Sequence, residues 1–227
     1  MIIGTPLILL ASGILRVTSA PGATITLTKG SLTYTITSGT AVDSWYSQYS
    51  RRVAFGTWTV KSVYNGETKT KTVTINSTGT TDTKIVHTIS IFKAGSGLDS
   101  RFSFKKFTGG FSVNSNQIDS WAGDSGWLQL ITNQAIPHIA DFKQIRINAK
   151  ADNGYGYSAV GIRNRTDTWG SDSPYNGFTK WGGIEAGATV DHYLDISGLT
   201  SGNYYPAAGR TDGPSHIYIY NIQLIPN

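Results

Sequence analysis

Thr57-Trp-Thr-Val-Lys-Ser-Val-Tyr64, Asn65-Gly66, Thr68-Lys-Thr-Lys-Thr-Val-Thr-Ile75 is the stretch on which the fold turns. Side chains alternate across a strand, so Trp58, Val60, Ser62 and Tyr64 share one face of the first run. Asn65-Gly66 tolerates the positive φ angles of a type I′ turn, which folds the second run back on the first. The pattern predicts a β-hairpin. Upstream, Ile25-Thr-Leu-Thr-Lys29 and Leu32-Thr-Tyr-Thr-Ile-Thr37 flank Gly30-Ser31 and predict another. Downstream, Lys84-Ile-Val-His-Thr-Ile-Ser-Ile-Phe92 reads as the last strand of the same unit. No sustained 3.6-residue apolar period appears, so no helix is expected there.

The whole chain fits an all-β reading. It has 227 residues, 15% of them charged, against about 25% for an average soluble domain. Thr, Ser, Asn and Gly take the place of charge. Its 26 aromatic residues offset the entropy of ordering the chain, which argues against disorder. The absence of cysteine excludes a disulfide scaffold and a Cys-ligated metal site.

The net charge of +5 is uneven. Residues 1–93 hold nine Lys/Arg against three acids, about +6, and residues 94–227 hold ten against eleven, about −1. Lys29, Lys61, Lys69, Lys71 and Lys84 are scattered among threonines, which suits solvated strand faces rather than a phosphate-tracking stripe. Nucleic acid is therefore not an expected partner.

Ala94-Gly-Ser-Gly97 marks the expected boundary, giving a leader at 1–15, a first sandwich at 16–93, a linker at 94–100 and a second sandwich at 101–227. The second part offers Phe102–Phe107, Gly126–Ile131, Phe142–Ala149, Tyr157–Arg163, His192–Ile196, Asn203–Ala208 and His216–Ile225 as strands. In the last of these, Tyr218, Tyr220, Ile222 and Leu224 are expected on one face. The leader is apolar at Ile2, Ile3, Leu7, Ile8, Leu9 and Leu10, lacks a basic residue before that run and is too short to span a bilayer. It is expected to stay on the chain as an anchor, packed on its own domain or docked into a partner, with no membrane insertion.

The order Val17-Thr-Ser-Ala-Pro-Gly-Ala-Thr-Ile-Thr-Leu-Thr-Lys29, Ala54-Phe-Gly-Thr-Trp-Thr-Val60, Asn65–Ile75 resembles small Ig-like domains of the carboxypeptidase-regulatory or PEGA type over residues 14–91. The resemblance implies a spacer or adaptor, since similar modules recur in bacteriophage tail and baseplate proteins and in bacterial surface proteins. An insertion at Asp43–Arg52 departs from the simplest form; it is expected as a long loop or one helical turn, with Trp45, Tyr46 and Tyr49 either forming a docking surface or packed under the sheet. The second part resembles the jelly rolls of carbohydrate-binding modules and phage receptor-binding proteins in strand rhythm and closing strand.

Candidate chemistry is sparse. The chain has two glutamates, Glu67 and Glu185, and none of His87, His138, His192 and His216 sits in a metal-ligand or nucleophile motif. No enzyme activity, cofactor or metal is expected, with calcium at Asp119/Asp124 or Asp167/Asp172 left open. The aromatic residues say more. Eighteen of the 26 lie beyond residue 93, and Trp121, Trp169, Tyr175 and Trp181 sit in polar surroundings with Arg163 and Arg165 nearby. Exposed rings stack on the C–H face of a sugar while neighbouring polar groups bind its hydroxyls, so these six residues form the expected glycan site, with Arg163 and Arg165 suited to an acidic sugar or phosphate; the alternative is that the rings pack loops onto the sandwich or face another subunit. The function expected from these readings is a bacteriophage tail-tip, baseplate or fibre component, located in the virion and bound to other virion proteins. A homo-oligomer, as a trimer, is implied by the resemblance, with host-surface polysaccharide as ligand. The alternative is a capsid decoration or head-fibre protein without a ligand.

Overall fold

The structure, a computed structural model, describes residues 11–122, 128–152, 158–164, 177–210 and 216–227. The chain divides into two compact units, the first ending at His87 and the second starting at Thr88. Both are β-sandwiches, so the chain is all-β. Among the described residues the only helical element is a 3-10 turn at Ile139–Asp141, and no helix is long and apolar enough to cross a membrane.

The first unit contains β1 (Ser12–Ser19), β2 (Thr24–Lys29), β3 (Leu32–Ile36), β4 (Thr40–Ala41), β5 (Ser47–Ala54), β6 (Gly56–Tyr64), β7 (Glu67–Ile75) and β8 (Thr80–Lys84). They form two four-stranded sheets, ordered β4-β5-β1-β8 and β3-β2-β6-β7. Strict alternation in β1, β2 and β6 sends Leu15, Val17, Ile25, Leu27, Trp58 and Val60 into one core, all fully buried. Trp58 stacks on Tyr34 at 5.7 Å and donates its indole N–H to the Ala54 carbonyl at 2.8 Å, so the largest core side chain is also polar-satisfied. The β6–β7 hairpin has its expected turn, with φ of 47° at Asn65 and 79° at Gly66.

The 43–52 insertion is neither an extended loop nor a helical turn. Asp43 Oδ1 accepts the amides of Trp45 and Tyr46 at 2.7 and 2.8 Å, and the chain then enters β5, which pairs with β1 along its whole length. An aspartate accepting amides two and three residues on is a local turn that launches a strand. Tyr46 is consequently buried, with the Lys84 ammonium 4.1 Å from its ring, and Trp45 is half-buried. Neither is a freely exposed docking ring. Ile2, Ile3, Leu7, Ile8, Leu9 and Leu10 lie outside the described residues.

The run Lys84–Phe92 is broken rather than continuous. β8 ends at Lys84, Ile85 and His87 turn inward and are buried, and pairing resumes in β9 (Ile89–Lys93), which belongs to the second unit. The expected linker at Ala94–Gly97 is the turn between β9 and β10 (Gly97–Leu98). Its amides are held by Tyr220, Ser115 and Lys93 carbonyls at 2.7–2.9 Å.

The second unit continues with β11 (Phe104–Thr108), β12 (Gly110–Val113), β13 (Ile118–Trp121), β14 (Leu128–Thr132), β15 (Phe142–Ala151), β16 (Ser158–Arg163), β17 (Lys180–Ile184), β18 (Thr189–Asp195), β19 (Tyr205–Arg210) and β20 (His216–Pro226). The smaller sheet runs β11-β14-β19-β16-β17. In the larger one β20 is central: β15, and beyond it β18, flank one side, while β13-β12 and β9-β10 share the other. Successive strands alternate between sheets from β13 to β16 and again from β17 to β20, the mark of a jelly-roll-like sandwich.

The closing strand pairs with β9, the strand that opens the unit. Its four named residues do not share a face. The register against β15 passes from Asn148–Asn221 to Ala149–Ile219, a bulge that inverts the alternation. Ile222 and Leu224 are buried, while Tyr218 and Tyr220 lie among the half-buried residues of the opposite face.

Candidate functional site

The outward face of the larger sheet in the second unit gathers aromatic and polar side chains from four adjacent strands. Ile118, Ser120, Ile217, Ile219, Ile145, Ile147 and Ala149 are buried inward, so alternation directs Asp119 and Trp121 of β13, His216 and Tyr218 of β20, and Arg146, Asn148 and Lys150 of β15 outward. On the edge strand β18, Asp191 and Tyr193 point the same way and are exposed, Tyr193 at 53%.

Two groups form on this face. At one end, Trp121 pairs across the strands with His216, their rings 5.7 Å apart, and His216 stacks on Tyr218 at 5.6 Å with an interplanar angle of 16°. His216 Nδ1 donates to Asp119 Oδ1 at 2.6 Å, which fixes the imidazole within this row. Burial, followed by the nearby charges of Asp119 and Asp152, pushes the Tyr218 phenol above its ordinary value, so its hydroxyl keeps its proton as a donor. Trp121 also covers Gly110 of β12, where a Cβ would overlap the indole. Glycine lets the ring lie low against the sheet.

At the other end, Arg146 makes a two-pronged pair with Asp191, Nε to Oδ1 at 2.8 Å and the second nitrogen to Oδ2 at 3.0 Å. A further Arg146 N–H donates to Gln223 Oε1 at 3.2 Å, and the Gln223 amide donates to Ser90 Oγ at 3.3 Å. The guanidinium lies 5.7 Å from the Tyr193 ring. The hydrogen bond from Arg146 holds the Asp191 carboxyl below the usual range, with Asn148 adding to it, and Asp191 in turn raises Arg146. The charges on this part of the face are therefore matched and held in place.

Trp121 and Tyr193 are three strand spacings and about six residues of register apart, on the order of 25 Å across the sheet. The face can bind an extended molecule by stacking at both ends and hydrogen-bonding between them.

The residues expected to form the site are not all brought together. Trp121 lies on this face. Trp181 is exposed at 44%, but its neighbour Gly182 faces His192 inside the sandwich, so alternation puts Trp181 on the outside of the smaller sheet. Arg163 is 1% exposed and its Nε donates to the Gly177 carbonyl at 3.0 Å, so it ties down backbone and is closed to an acidic sugar. Trp169, Tyr175 and Arg165 lie outside the described residues, as do Asp124, Asp167 and Asp172 among the calcium candidates. His216, Tyr218, Arg146, Asp191 and Tyr193 share the face with Trp121 without being expected there. Their signal was the polar half of each alternating strand, which says that they face out but not that they face out together.

Among the described residues no other candidate chemistry converges on this face. Glu185 is exposed after β17, while Glu67 belongs to the first unit, where it contacts Lys69 and His87. Ser62, His87 and Glu67 have the connectivity of a nucleophile–base–acid triad, but Ser62 is fully buried, which closes it to a substrate. Among the described residues no group of three His, Asp or Glu could hold a metal ion. A cavity of about 450 Å³ lies in the second unit between segments 135–141 and 200–203, lined by Ile136, His138, Asp141, Thr200 and Asn203, and contains none of the face's residues.

The class of protein defined so far is two consecutive β-sandwiches, the second carrying an aromatic and polar sheet face. No family model matches the chain, and no curated protein matches it either. Similar solved structures include a family 29 carbohydrate-binding module from Piromyces equi, 14% identical over 61% of this chain and 89% of that one, with a TM-score of 0.42. A variant family 29 module is 15% identical, covering 61% and 91%, at a TM-score of 0.40. Another variant, complexed with mannohexaose, is 16% identical over 61% and 90%, at 0.39.

Proposed function

We propose that the second unit is a non-catalytic glycan-binding module whose site is the outward face of β13, β20, β15 and β18. The observation that carries the reading is the aromatic row Trp121–His216–Tyr218, tilted at its first contact and stacked at its second, on the same face as the Arg146–Asp191–Tyr193 group. Rings set across adjacent strands offer flat apolar platforms to sugar C–H faces. The braced guanidinium, carboxylates and Asn148 offer directional partners to hydroxyls without an ordering cost at the moment of binding. An open face of this length suits the interior of a linear chain better than a single terminal sugar.

The first unit acts as a spacer in this reading. The finer proposal places the chain in a bacteriophage tail tip, baseplate or fibre, where the glycan is on the host surface; its support is the resemblance of residues 14–91 and the aromatic second sandwich. Isothermal titration of the full chain with linear oligosaccharides tests the binding. Immunolabelling of purified phage particles tests the location, and labelling of capsids with silence on every glycan favours the decoration role instead.

A further inference from the structure

The first unit buries a hydrogen-bonded chain that the glycan-binding reading does not use. Ser19 Oγ lies 3.1 Å from the Ile85 carbonyl and 2.9 Å from Ser62 Oγ; Ser62 Oγ lies 2.8 Å from His87 Nε2; and His87 Nδ1 lies 3.3 Å from Glu67 Oε2. Ser19 and Ser62 are fully buried and His87 is 3% exposed. The Ile85 carbonyl and the Glu67 carboxylate, itself 3.0 Å from Lys69 Nζ, accept only.

Counting protons along this chain gives an asymmetry. There are four contacts. With neutral His87 there are three protons to fill them, one on each serine and one on the ring. If the ring proton is on Nδ1 it serves Glu67, Ser62 donates to Nε2, and Ser19 has one proton for its two remaining contacts. A second ring proton changes the order: Nε2–H donates to Ser62, Ser62 to Ser19, Ser19 to the Ile85 carbonyl, and Nδ1–H keeps Glu67. All four contacts are then filled with no heavy atom displaced.

We propose that Ser19, Ser62, His87 and Glu67 form a proton-binding site that takes up one proton on the folded first unit at acid pH, reversing the Ser62 hydroxyl from donor to His87 into acceptor from it. The groups facing His87 are Glu67 and Lys69 from β7, Ser62 and the Tyr64 ring from β6, and Ser19 from β1, reached through Ser62. Burial holds the imidazole below its ordinary value, with Glu67 working against that and Lys69 with it, so the neutral, proton-deficient order is the one present at neutral pH.

Nitrogen-15 NMR of the histidine rings in the full chain, followed against pH beside circular dichroism, tests this. The expected result is a His87 protonated on Nδ1 alone at neutral pH, gaining its Nε2 proton on acidification while the sheet signal is unchanged. Ser19→Ala lowers the midpoint, although Ser19 does not touch the ring, because the reversed Ser62 hydroxyl then has no acceptor. Glu67→Gln lowers it by about one unit through the lost charge. A ring proton on Nε2 at neutral pH, unfolding before His87 titrates, or a midpoint unmoved by Ser19→Ala would each overturn the proposal.

Discussion

Trp121 lies across Gly110, its direct partner on the neighbouring strand, and the indole occupies the space that a side chain at position 110 would need. The platform therefore depends on the absence of a side chain one strand away. Gly110→Ala lifts the ring and breaks its alignment with His216, while the inward residues of β13 keep their packing. The expected result is a loss of glycan affinity of about tenfold, equivalent to ~1.4 kcal/mol, with the sheet signal retained. Calorimetric titration beside circular dichroism checks both.

Arg146 separates binding from stability. Its pair with Asp191 is partly exposed, with side chains 31% and 36% accessible, and solvent screening keeps such pairs weak. Arg146→Ala is expected to cost under about 1 kcal/mol of folding stability. It removes the group that braces Gln223 and Tyr193, so affinity falls severalfold. Urea unfolding and titration of the same variant distinguish the two effects.

Trp181 supplies the negative control. It is the more exposed of the two described tryptophans expected at the glycan site, yet it stands on the smaller sheet. Trp181→Ala is expected to leave affinity within about twofold, a change of ~0.4 kcal/mol. A collapse of binding in this variant would move the site to the other side of the sandwich.

The first unit should weaken in acid. Folding holds His87 below its ordinary value of 6.5, so the unfolded chain binds that proton more readily than the folded one. His87's contribution is complete above that ordinary value and declines as pH falls from it towards the depressed folded value. Hydrogen exchange of β6 and β7 amides between about pH 8 and about pH 5, corrected for intrinsic rates, is expected to show protection falling, and less so in His87→Gln.

Trp58 fixes the same unit's core. Trp58→Ala leaves a cavity between the two sheets and removes the stack on Tyr34, at a cost of about 3–5 kcal/mol. Thermal unfolding is the readout.

The hairpins were legible because their turns are written locally: Asn65-Gly66 adopts the positive φ pair that no other dipeptide in β6–β7 would accept so easily. Alternation likewise identified which residues of β2 and β6 are inside. Partnership across the chain was not legible. Nothing in Ile89–Lys93 itself says that it pairs with Asn221–Leu224, about 130 residues away, rather than continuing from Lys84. The bulge at Tyr220–Asn221 arises from that pairing and reverses which residues of β20 face out. The site suffered in the same way. Trp121 is a candidate from its polar neighbours alone, whereas Arg146 and Tyr193 become candidates only once β15 and β18 are placed beside β20.

Binding of an extended glycan by the face carrying Trp121, His216 and Tyr218 is tested by calorimetric titration of the full chain and of Trp121→Ala with linear hexasaccharides. The expected result is saturable binding by the unaltered chain and a loss of at least about tenfold in the variant. Equal binding by both proteins, or silence from the unaltered chain across the panel, would contradict it.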